Sequence, residues 1–125
     1  MKKISILAIG LDPRHADLSQ FPEFGPEVVE AYVKQQIDRV RELGFDVVDC
    51  LITPDEMGQR AVEAALGSQR FDCVMIGAGL REPPSLLVLF EKTVNAVHRL
   101  APQARICFNS SPADTVEAVQ RWVSP

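Results

Sequence analysis

Four short apolar blocks, at residues 4–10, 45–52, 71–76 and 105–108, read as β-strands, and the segments between them carry apolar residues at helical spacing. Ser5 alone interrupts the first block and Asp72 alone the third, the pattern of strands buried on both faces of a parallel sheet. Asp46 and Asp49 break the second block, which suits a sheet edge. Between the first strand and the first helix, the fifteen residues from Leu11 to Gly25 follow neither period. They hold Pro13, Ser19 and Pro22, the polar side chains of Asp12, Arg14, His15 and Asp17, and Phe21 and Phe24 as apolar anchors. A loop of that length is uncommon in a small domain and is often functional.

Gly25 and Pro26 open the first helix. Val29, Val33, Ile37 and Val40 form its apolar stripe, Val28, Tyr32 and Leu43 widen it, and Gly44 stands just past its end. Thr53-Pro54-Asp55-Glu56 reads as a capping box, with Thr53 the N-cap of a second helix that Gly67 ends. The third helix is predicted from about Pro84 to Leu100. Leu86 to Phe90 at its start is apolar all round, more than one buried face requires. Ser111 caps the fourth, with Pro112 first, Asp114 third, and Val116, Val119 and Trp122 facing inward.

Alternating strands and helices demand a parallel sheet with right-handed crossovers. The expected fold is one α/β domain over residues 1–125: three α/β/α layers around a four-stranded parallel sheet in order 2-1-3-4, of flavodoxin-like or Rossmann-like architecture. That order sets strands one and three side by side. Their connections leave toward opposite faces, which opens a crevice at their carboxyl ends, where ligands of such sheets bind.

Composition narrows the function only by exclusion. The 125 residues, 46% hydrophobic and 24% charged, are those of an ordinary globular domain. A net charge of -4 argues against a broad nucleic-acid surface. No run reaches the ~20 apolar residues of a membrane span, and the apolar start reads as a strand rather than a leader. Cys50, Cys73 and Cys107 are odd in number and each lies in a strand, which fits buried reduced thiols and a cytoplasmic protein.

The stretch with most chemical promise is Gly77-Ala78-Gly79-Leu80-Arg81-Glu82-Pro83-Pro84-Ser85. The glycines permit positive φ and close approach, and Arg81 is placed to fork onto a carboxylate or phosphate. Topology brings this loop beside Gly10, Asp12, Arg14 and His15, with Asn109, Ser110 and Ser111 as a neighbouring wall. The pattern is GxGxxE rather than GxGxxG, and it follows strand three, where a dinucleotide fingerprint does not belong. P-loop and nucleophile-elbow patterns do not occur. Glycines stand where a receiver domain needs its phosphoacceptor aspartate, and residues 10–15 are not a flavodoxin phosphate loop, so likeness to either group stops at architecture. One loop histidine among scattered carboxylates is not metal-ligand spacing, and no cofactor can be named.

Three functions fit these residues. The first is a module that binds a small anionic metabolite, bearing phosphate or carboxylate, through Gly10, Arg14, Gly77, Gly79, Arg81, Glu82, Asn109 and Ser110. The second is a hydrolase or transferase with His15 as general acid/base and Asp12 as its orienter. The third is a homodimer formed through Leu86, Leu87, Leu89 and Phe90 of helix three. The plain alternatives are an exposed loop histidine, a turn-capping aspartate and structurally paired arginines.

Overall fold

A computed structural model describes residues 2–19 and 23–125; the predicted anchor Phe21 and the adjacent Pro22 lie outside the described residues. Its strands are β1 (Ser5–Leu11), β2 (Asp46–Ile52), β3 (Cys73–Ile76) and β4 (Arg105–Phe108). The helices are α1 (Pro26–Glu42), α2 (Glu56–Ser68), α3 (Ala78–Arg81), α4 (Leu87–Leu100) and α5 (Thr115–Gln120). All strand pairs are parallel and the order is β2-β1-β3-β4, as the alternation predicts.

Side-chain alternation sorts the core into two layers. Leu7, Ile9, Val74 and Ile76 pack with Val62 and Leu66 of α2 and with Ala96 and Val97 of α4. On the other face, Ile6, Ala8, Cys73 and Met75 meet Ile37 and Val40 of α1 and Val116 and Val119 of α5. Each fully buried Leu, Ile or Val here stabilises the fold by roughly 2 kcal/mol. Cys73 and Cys107 are buried free thiols with sulfurs 3.7 Å apart across the β3–β4 pair, while Cys50 is half-buried. Among the described residues, no helix is long and apolar enough to cross a membrane.

Several local expectations need correction. The glycine stretch folds as one helical turn, α3, followed by a 3-10 turn over Pro84–Leu86, so the third predicted helix begins as α-helix only at Leu87. Gly77 is the N-cap of α3, with φ of -73°, and Gly79 lies inside the turn, so neither uses positive φ. Gly44 does, at 105°, just past α1. The N-cap of α2 is Asp55 rather than Thr53: its carboxylate accepts the Gly58 N–H at 3.1 Å, and the Thr53 hydroxyl donates to that same carboxylate at 2.6 Å. These bonds, the hydroxyl's first, hold the Asp55 pKa below its ordinary value. Gly67 does not stop α2, which runs on to Ser68.

The Ser111–Asp114 capping box forms, but around a 3-10 turn that leads into α5. Trp122 lies beyond α5 and is exposed rather than inward-facing, as are Val28, Tyr32 and Leu43 on and just past α1. In the apolar run of the third predicted helix, Leu89 and Phe90 pack against the core and Leu87 and Val88 face solvent.

Candidate functional site

The crevice begins with missing side-chain volume. On the α1-facing side, β1 presents Ala8 and then Gly10, two residues apart and therefore on one face, and Gly77 follows directly after the neighbouring β3. These small residues cannot fill the space beneath α1. The result is a cavity of about 230 Å³ at the carboxyl end of the sheet. Its floor is Ala8, Gly10, Met75 and Gly77, and Val29, Val33 and Ile37 of α1 cover it. Pro13, Ala16 and Leu18 of the long loop line its upper rim. The wall is overwhelmingly apolar; among the described residues, the polar side chains on it are Asp49, Asn109 and Thr115.

Asn109 organises one side. It is 4% exposed. Its Oδ1 accepts the Ala78 N–H at 2.8 Å, and its Nδ2 donates to Thr115 Oγ1 at 3.1 Å. Thr115 Oγ1 in turn donates to the Pro112 carbonyl at 2.7 Å. One side chain thus ties the first turn of α3, the end of β4 and the start of α5. Leu80, fully buried, holds the same turn from its apolar side. Beside it Ser110 is engaged by Asp114, which accepts from both its backbone N–H and its hydroxyl.

Of the residues expected at a site, Gly10, Gly77, Gly79 and Asn109 line the cavity. Asp12, Arg14, His15, Arg81, Glu82 and Ser110 are not on its wall. The Asp12 carboxylate caps the turn over Pro13–His15 by accepting the Arg14 N–H at 3.0 Å. The exposed Arg14 guanidinium stands 3.4 Å from Asp12 and 3.3 Å from Glu30. His15 is exposed, and its backbone N–H donates to the Asp12 carbonyl. Glu82 is exposed at the end of α3.

Arg81 turns toward β4. Its Nη2 donates to the Asn109 carbonyl at 2.9 Å, and its guanidinium carbon lies 5.8 Å from the centre of the Phe108 ring, which in turn packs on Phe90. Arg121 donates likewise to the preceding carbonyl, that of Phe108, at 2.8 Å. Two arginines therefore satisfy successive carbonyls at the end of β4. Arg81→Ala is expected to destabilise the fold by about 2 kcal/mol, from one charge-assisted hydrogen bond and the lost ring contact. Urea denaturation measures it; a change under about 0.5 kcal/mol would mean that the guanidinium does no structural work.

Asp49 is the charged residue among the described cavity residues, and sequence reasoning missed it because an acid on an edge strand already has a sufficient explanation there. It pairs in register with Ala8, and its neighbour on the same face, Leu51, also lines the cavity. Residue Asp49 is exposed overall, which places it at the mouth rather than the floor. Partial burial raises the pKa of its carboxyl, and the Arg41 charge opposes that rise. Among the described residues, no group of three or more His, Cys, Asp and Glu side chains is arranged to hold a metal ion. No known protein-family model matches this chain, and a search of curated proteins found no relative.

Proposed function

We propose that this chain is a small-molecule binding module whose ligand enters at the carboxyl edge of the sheet, between the ends of β1 and β3, and seats an apolar body beneath α1. The observation that carries this reading is the cavity of about 230 Å³ with its almost wholly apolar wall. A core normally packs with few voids larger than a water molecule. An apolar space of this size, open at its mouth, forfeits dispersion contacts along its wall, and a ligand restores them. It also lies where open α/β sheets bind ligands. Scaling from a cavity of about 150 Å³ that holds benzene, the occupant has on the order of ten non-hydrogen atoms. At typical ligand efficiencies its affinity falls in roughly the micromolar to millimolar range.

Catalysis by His15 with Asp12 has less support, since the Asp12 carboxylate bonds Arg14. An anion held by Arg14 and Arg81 has less support for the same kind of reason: one is paired with carboxylates and the other with a backbone carbonyl.

Filling the cavity tests the reading. Ala8 is 3% exposed and on the cavity floor. Ala8→Leu is expected to keep stability within about 1.5 kcal/mol, because the new atoms enter empty space rather than packed core. Amide chemical shifts in wild-type protein titrated with benzyl alcohol should move at Gly10, Gly77 and Gly79, and the variant should bind at least tenfold more weakly. Shifts scattered over the surface, or binding undiminished in a folded variant, would remove the cavity as the site.

A further inference from the structure

Among the described residues, the cavity has one charged group on its wall, Asp49. Asn109 and Thr115 already have protein partners, so they offer a ligand little. Among the described residues, no side chain hydrogen-bonds or ion-pairs with the Asp49 carboxylate. The nearby cation, Arg41, is committed elsewhere: Nη1 donates to the Asp38 carboxylate at 2.8 Å and Nη2 donates to the Val47 carbonyl at 3.0 Å. Arg14, the other cation of this region, faces Asp12 and Glu30. Glu30 and Asp38 both act on Asp49 as like charges. An anionic end placed in this cavity meets a carboxylate with no contacting counter-charge.

We propose that the ligand is an organic cation, a compact apolar body bearing a protonated amine or amidinium, whose charged end pairs with Asp49 at the cavity mouth. This rests on the binding reading above and adds the sign of the charge. A partly desolvated carboxylate gains by pairing with a cation, and the apolar floor accepts the rest of the molecule. Solvent at the mouth screens the pair, so its worth is on the order of tenfold in affinity rather than thousandfold.

Three probes of one shape separate the possibilities: benzylamine, protonated at neutral pH, benzyl alcohol, and benzoate. Titrations followed by amide chemical shifts at low salt should rank benzylamine about tenfold tighter than the alcohol, with benzoate weakest. Asp49→Asn should weaken benzylamine about tenfold and leave benzyl alcohol unchanged. Should that variant fold poorly, Asp49→Ser serves the same comparison. Equal binding of amine and alcohol, or an amine affinity indifferent to residue 49, overturns the cation while leaving the cavity reading standing. Tightest binding by benzoate overturns it in favour of an acidic ligand. Failure of all three probes on wild-type protein at millimolar concentration overturns the cavity reading and this inference together.

Discussion

Asn109→Ala is expected to lower stability by about 3 kcal/mol, a drop in melting temperature on the order of 10 °C for a chain of this size. The substitution removes an acceptor and a donor at once. The Ala78 N–H, on a residue only 7% exposed, loses the oxygen now 2.8 Å away, and Thr115 Oγ1 loses its donor. Leaving a buried amide unpaired costs about 1–3 kcal/mol, and the severed Thr115 bond adds about 1 kcal/mol. One effect works the other way: the hole opens onto the cavity, and a water admitted there can satisfy the orphaned amide. The apolar wall disfavours such a water, so most of the cost remains. Urea denaturation gives the magnitude, and hydrogen exchange at Ala78 gives its origin. A loss below about 1 kcal/mol with Ala78 still protected would mean that another acceptor holds α3. Thr115→Val, which keeps the Ala78 bond, should cost less than half as much.

The predicted strand order formed because two kinds of signal agreed. Alternation of strand and helix requires right-handed crossovers, and Asp46 and Asp49 suit β2 to an edge, where it lies. The α3 turn was not legible in the same way. Glycines flanking one alanine carry no helical preference, and the turn is held by Asn109 and by burial of Leu80, partners 31 residues away in one case and in the tertiary core in the other. The cap of α2 was misplaced by two residues because Thr53 and Asp55 both suit the role. Geometry gives the backbone N–H to the carboxylate and turns the hydroxyl into its donor.

At the candidate site, the strand-end rule located Gly10, Gly77, Gly79 and Asn109, since backbone topology alone carries them to the crevice. The direction of long side chains is not fixed by topology. Arg81 could reach a ligand or a backbone carbonyl, and Asn109 O lies within its reach. The emptiness under α1 did leave a trace: Ala8 and Gly10 share a face of a central strand, next to Gly77, where bulkier residues fill an ordinary core.

Next to the α2 cap lies the tightest of the glycine positions, Gly58. A Cβ at Gly58 would clash with the Thr53 carbonyl oxygen and lie 2.9 Å from its carbon. Thr53 cannot easily withdraw. Its hydroxyl is held by Asp55 at 2.6 Å, and the carbonyl of Ile52, just before it, accepts the Asp12 N–H at 2.8 Å. Gly58→Ala should therefore destabilise by about 3 kcal/mol, even though alanine is the better helix former by about 1 kcal/mol. Gly67, in the last turn of the same helix, has nothing within 4 Å of the corresponding position. Gly67→Ala should stabilise by about 0.5–1 kcal/mol, because only the helix preference and the unfolded-state entropy change. One chemical substitution thus acquires opposite signs nine positions apart, and thermal melts of the two variants read both. If Gly58→Ala melts no lower than wild type, the first turn of α2 does not press on Thr53.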